Sequence, residues 1–262
     1  MAINSKIPDL PDDALRREIK QLADSVRIKY GIKGISDILD ILNNAAFLIR
    51  KPIDTKKLSG FTTYIDGEFV IFLNSSFTLG HERFSGAHEL YHVECNKDIL
   101  KREKMVFDEH EDIKANIFAA EFLMPEDYVR EMFYKLINKD KEKIEAKHII
   151  KMNTFFKASY AAMLKMLIQL DLCDASRYEY LREYASLDNK LKLQELTRKE
   201  GLDISLIVPS YITSIPKEYL EIVKQNYETE KISFGKLQQL LNLVKLSPVD
   251  IGCEPPQEDK WV

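Results

Sequence analysis

The 262-residue sequence has only three cysteines, Cys95, Cys173 and Cys253, far apart and with no CxxC pair. That spacing excludes a cysteine-rich zinc ribbon and argues against a disulfide framework. The thiols read as reduced, as expected of a chain that is not secreted. Net charge is also scarce: 38 Lys and Arg against 42 Asp and Glu leave −4. Broad nucleic-acid binding needs a strongly basic face, and this balance offers no such footprint. Long apolar runs are missing, and no stretch approaches the roughly 18 residues that would mark a membrane span. The first ten residues lack the basic start and apolar run of a signal peptide. Internal repeats and low-complexity tracts are absent too. What remains is 45% apolar residues, enough for the core of one large or two modest domains in the cytoplasm.

Periodicity divides the chain. Leu15, Ile19, Leu22 and Val26 recur at helical spacing within Asp13–Tyr30, which predicts a helix. A second short helix is expected over Ser36–Asn43, with Ser36 as its N-cap. Ala45–Ile49 and Phe61–Ile65 read as strands. Asp66-Gly67 is a hairpin turn signal, so Phe61–Ile65 should pair antiparallel with Phe69–Leu73. Helical pattern returns after Ser76 and covers Arg83–Val93. A charged loop is expected over Asn96–Glu111, then a helix from about Asp112 to Leu123 that stops at Met124-Pro125. Beyond Pro125 the pattern is almost entirely helical.

One segment carries chemistry. His88-Glu89-Leu90-Tyr91-His92 is an HExxH motif on a predicted helix. Residues four apart project from one face, so the two imidazoles can bind one Zn2+ together. Glu89 beside the first ligand can take the proton of water held at that ion. The bland reading is an amphipathic helix with two incidental histidines. The hairpin before the motif and the acidic helix after it argue against that reading.

A catalytic zinc needs a third protein ligand and an open position. No third His follows at the spacing HExxHxxGxxH, so a carboxylate downstream should serve: Glu109, Glu111, Asp112 or Glu121. Asp112 shares a helix face with Ala115, Asn116, Ala119 and Ala120, a small-residue stripe that permits close approach. Glu111 shares a face with the bulky Phe118 and Phe122. Helix phase therefore favours Asp112 over Glu111, although Asp112 could instead serve as a helix N-cap. His81 and His110, and with them Tyr64 and Tyr91, are candidates to stabilise an oxyanion. Arg83 reads as a structural contact near the helix start, and His148 as unrelated to the site.

These residues resemble the ImmA/IrrE family of metallopeptidases. The likeness rests on Arg83-x-x-x-x-His88-Glu89-x-x-His92 after the strand Phe69–Leu73. It rests further on Asp112-x-x-Ala115-Asn116-x-Phe118-Ala119-Ala120-x-x-x-Met124-Pro125, with a weaker echo at Ser159-Tyr160-x-Ala162-Met163-Leu164. The resemblance implies an α+β, mostly helical fold: a zincin-like, gluzincin-type catalytic domain with a small antiparallel sheet, followed by a helical C-terminal region. It implies zinc ligands at His88, His92 and the carboxylate three residues before Ala115. That carboxylate is often Glu in the family; Asp112 is one methylene shorter, so its helix must sit closer. The resemblance also implies a bacterial, phage or mobile-element protein that cleaves, or acts with, a helix-turn-helix repressor.

The expected division is a catalytic domain over residues 1–126 and a helical region over 127–262 for partner binding or regulation. Ser233 should cap a helix over Phe234–Val244, and Ser247-Pro248 should start another. That last helix offers Val249, Asp250 and Ile251 but no Arg or Lys, so direct reading of DNA is not expected. Two functions remain open. One is a zinc endopeptidase acting on a repressor. The other is a non-proteolytic zincin-fold regulator or toxin–antitoxin component.

Overall fold

A computed structural model describes residues 11–254 except 56, 104–107, 138–140 and 187. The first helix, α1 (Asp13–Lys29), begins where the Asp12 carboxylate accepts from the Ala14 and Leu15 amides, two donors that have no partner inside the helix. Its buried face is Ile19, Ala23 and Val26. Next, α2 (Ile38–Ala45) is capped by Asp37, whose side chain accepts from the Leu39 amide. The expected cap, Ser36, lies one residue too early.

Three strands follow: β1 (Phe47–Lys51), β2 (Gly60–Ile65) and β3 (Glu68–Asn74). The expected hairpin forms, with Phe61 opposite Phe72 and Ile65 opposite Glu68. Asp66 and Gly67 both take positive φ, 49° and 97°, which gives a two-residue turn the twist its strands need. β1 starts two residues later than expected and pairs with β3 in parallel, Phe47 with Val70 and Lys51 with Asn74. The sheet is therefore mixed, in the order β1-β3-β2, where antiparallel pairing alone was expected. Alternating residues reveal a strand but not the direction of its partner. Strand β3 is central, and β2 lies at an edge.

The motif helix, α3 (Leu79–Cys95), is capped by Thr78. It packs against the sheet, α2 and α5, and is buried on several sides: Gly86, Ala87, Leu90 and Val93 all face the interior. A Cβ on Gly86 would lie 2.8 Å from Leu42 Cδ1, so the bare glycine lets α2 close on the helix. The expected loop over Asn96–Glu111 instead contains α4 (Lys97–Glu103). The next helix, α5 (Glu109–Leu123), starts three residues earlier than expected, because Asp108 is its cap. Asp112 is thus inside the first turn and is not an N-cap. Glu109, read as loop, opens the helix.

The remainder is helical as expected: α6 (Glu126–Ile137), α7 (Ala146–Phe156), α8 (Tyr160–Gln169), α9 (Ala175–Arg182), α10 (Lys190–Lys199), α11 (Lys217–Glu228) and α12 (Phe234–Asn242). Ser159 caps α8 and Ser233 caps α12. Ser247-Pro248 opens a single 3-10 turn. The main buried cluster runs from Ile19 to Ile207. A small second one joins Val223, Leu237, Leu241 and Cys253. Between them, residues 208–214 strap across the sheet side of the molecule. Arg50 and Ser214 exchange backbone hydrogen bonds, and the Leu79 amide donates to Val208 O. Beneath the strap Arg50 forks onto Glu82, Nε to Oε1 at 2.7 Å and Nη2 to Oε2 at 3.2 Å. Ser210 Oγ donates to the same carboxylate. Among the described residues no helix is long and apolar enough to cross a membrane.

Candidate metal centre

The helix α3 brings His88 and His92 to one face because they lie one turn apart, and α5 crosses beside them. Their Nε2 atoms are 3.3 Å apart, and Asp112 Oδ1 lies 3.6 Å from His88 Nε2. One ligand atom from each of the three residues falls within 4.8 Å of the others. Two nitrogens about 2.05 Å from a shared tetrahedral zinc stand about 3.3 Å apart, so the imidazole spacing fits that ion.

The second nitrogens of the rings decide which atoms are free to bind. His88 Nδ1 is 3.1 Å from Asn116 Oδ1. An amide oxygen only accepts, so Nδ1 carries the proton and Nε2 keeps its lone pair. His92 Nδ1 lies 3.4 Å from Asn96 Nδ2. Burial lowers the pKa of His88, against Asn116 and Asp112, which raise it. Burial and then the neighbouring His88 push His92 down to about 4. Both rings are neutral at pH 7, the form a metal requires.

Glu89 is 6% exposed. Burial pushes its pKa up to about 7, although the hydrogen bond from Thr62 works in the other direction. Thr62 Oγ1 donates to Glu89 Oε2 at 2.7 Å, fixing one carboxylate oxygen. Gly60 matters here: a Cβ on it would sit 2.9 Å from Phe72 O and 3.3 Å from Glu89 Oε1. Its lack of a side chain lets β2 run beside the carboxylate. A general base works best when its pKa lies near the working pH, and Glu89 is placed in that range.

The other carboxylates separate by their partners. Glu111 Oε2 accepts from Tyr91 Oη at 2.8 Å and Asn96 Nδ2 at 3.0 Å, and Oε1 accepts from Lys114 Nζ at 2.7 Å. Burial raises its pKa, but those three donors outweigh it and hold Glu111 below its ordinary value. Both oxygens are thereby engaged behind His92. Glu121 is buried against Arg16, away from the pair. Asp112 is 62% exposed and lines a cleft of about 480 Å³ together with Gly60, Phe61, Thr62, Glu89 and Glu109.

The proposed oxyanion groups do not gather there. His81 Nε2 bonds Ser59 Oγ at 2.9 Å and its ring stacks on Phe77. His81 and His110 line a different cavity. Tyr91 Oη is spent on Glu111, and the Tyr64 ring packs on Phe69. Lys57 lines the metal cleft in their place. Arg83 makes the expected structural contact, to Asp37 at 2.6 Å, and His148 serves the start of α7. Sequence reasoning missed the supporting roles of Thr62 and Asn96. Asn116 was visible in the second motif block, but only the fold shows that it holds His88.

Residues 46–167 match the model of the Peptidase_M78 family, the IrrE N-terminal-like domain. The matched stretch runs from β1 through α8 and includes both motif blocks. No curated protein matches the chain.

Proposed function

Taking as premise that residues 46–167 belong to the Peptidase_M78 family of metallopeptidases, we propose that this chain is a zinc-dependent endopeptidase. His88 Nε2, His92 Nε2 and the Asp112 carboxylate would hold the ion. The observation that carries the reading is the convergence of these three ligand atoms beside a buried carboxylate with a pKa raised to about 7. Bound zinc supplies Lewis-acid polarisation of a carbonyl and makes water easier to deprotonate.

The chain's own groups do the rest. Glu89 takes the proton of the attacking water on its carboxylate and passes it to the leaving amine. Thr62 holds Oε2, so the proton resides on the other oxygen. Asn116 keeps His88 in the tautomer with Nε2 free. Glu111, Tyr91 and Asn96 brace the far side of His92. Strand β2 is at the sheet edge and lines the cleft, so an extended substrate peptide can add to it by backbone hydrogen bonds.

The substrate we assign is a helix-turn-helix repressor, on the motif resemblance, with the protein acting in the cytoplasm. Residues 1–126 would carry the chemistry and 127–262 partner recognition. This is a division of labour over one shared core, since the main buried cluster crosses that boundary. The test uses purified protein, zinc and a repressor encoded beside it. Glu89→Gln should retain stoichiometric zinc and lose cleavage; a variant that cleaves as well as wild type refutes the mechanism. The second reading, a non-proteolytic zincin-fold regulator, is favoured by the exposure of Asp112. Stoichiometric zinc together with repressor cleavage by wild type would reject it.

A further inference from the structure

A cavity larger than the metal cleft lies elsewhere in the described residues. It encloses about 720 Å³ between α5 and α8, with the start of α1 at one end. The two cavities share no lining residue. On α5 its wall is Ile113, Asn116, Ile117 and Ala120; on α8 it is Ala162, Lys165, Met166 and Gln169. Both sets follow the spacing of one helix face. Leu15 and Phe84 add to an apolar lining. A cavity of this volume, apolar with a few polar groups, has the size and character of a small-molecule site.

The polar groups select the ligand. Gln169 Nε2 is buried and meets no hydrogen-bond partner among the described residues. A buried donor left unpaired is costly. Lys165 lies one turn before it on the same helix face and is exposed. Asp12 is the one carboxylate in the lining, and its Oδ2 accepts from the Ala14 and Leu15 amides at the start of α1. The groups left to meet a ligand head thus include an ammonium and an amide N–H, both wanting an acceptor.

We propose that this cavity binds a small amphiphile with an apolar body and a single anionic head, the body against Ile117, Phe84 and Met166 and the head at Lys165 and Gln169. The site has a route to the metal centre, because Asn116 lines the cavity and also holds His88 Nδ1. Occupancy and zinc affinity should therefore be coupled. That coupling rests on the proposed metal ligands; the binding itself does not.

The experiment titrates the full metal-free chain with 1-anilinonaphthalene-8-sulfonate, followed by fluorescence, and displaces the probe with octanoate or 1-octanol. One saturable probe site is expected, displaced by octanoate about tenfold more tightly than by 1-octanol, as one charge-assisted hydrogen bond implies. Lys165→Met should remove that preference. Ala162→Trp, which fills the cavity, should abolish binding while leaving the thermal transition cooperative. Lys165 is a surface residue, so its variant keeps the test decisive if the tryptophan variant fails to fold. Absence of saturable binding, equal displacement by the two compounds, or an unchanged preference in Lys165→Met overturns the site. Repeating the titration with zinc separates the two claims. A shift in octanoate affinity supports the coupling, and an unchanged affinity refutes the coupling alone.

Discussion

Replacing Glu89 by Gln should stabilise the metal-free protein, and by an amount that depends on pH. The carboxylate is 6% exposed and its pKa rises from 4.5 to about 7 on burial. Between those values the folded chain keeps a proton that the unfolded chain has released. Stability attributable to this group therefore falls as pH rises from 4.5 and levels off above 7. Full ionisation of the buried group costs about 3 kcal/mol, at about 1.4 kcal/mol per tenfold. Gln removes that cost and can still accept from Thr62 Oγ1. The advantage of the variant should grow from about 1 kcal/mol at pH 5 to about 3 kcal/mol at pH 8. His92, held neutral with a pKa near 4, destabilises both proteins on the acid side and largely cancels in the comparison. Denaturant unfolding with a chelator present, at both pH values, measures the difference. An advantage that is the same at pH 5 and pH 8 would show that Glu89 is not desolvated as described.

Asn116→Ala should weaken zinc binding about 10- to 100-fold by releasing His88, read by competition with a chromophoric chelator. In the same assay Asp112→Ala should lose more than Glu111→Ala; the reverse order would make Glu111 the ligand. Arg50→Met strands Glu82, which is 1% exposed, and should cost about 3–5 kcal/mol in unfolding free energy; a loss below about 1 kcal/mol would mean the carboxylate is not held by this pair. Gly80→Ala places a Cβ 2.9 Å from Ser159 Cα and 3.0 Å from two carbonyl oxygens, and should lower stability by about 1–3 kcal/mol. Gly34→Ala, which meets nothing within 4 Å, should stay within about 0.5 kcal/mol of wild type.

The parts of the fold that sequence made legible are those fixed by local chemistry. The Asp66-Gly67 turn needs positive φ at both positions, so the hairpin and its register followed from two residues. The helical phase of α5 sets Asp112 on the face with Asn116, where its Oδ1 lies 3.6 Å from His88 Nε2, while Glu111 bonds Tyr91, Asn96 and Lys114. Features set by distant contacts were hidden. The parallel pairing of β1 depends on the chain returning past β3, which no pattern within β1 encodes. The charge-rich segment after Asn96 lacked an apolar stripe, so α4 read as loop, although Leu100 anchors it by burial. Thr62 looked like an ordinary strand residue until the sheet laid it against Glu89. The shared core across residue 126 was equally invisible, because helix periodicity does not say which helices pack together.

A crystal of the zinc-loaded chain, with anomalous scattering collected on both sides of the zinc absorption edge, tests the central claim most directly. One peak is expected about 2.0–2.2 Å from His88 Nε2, His92 Nε2 and an Asp112 oxygen, with Glu89 beside it and unligated. A peak bound elsewhere, or a zinc-replete crystal with none between those two imidazoles, would contradict it.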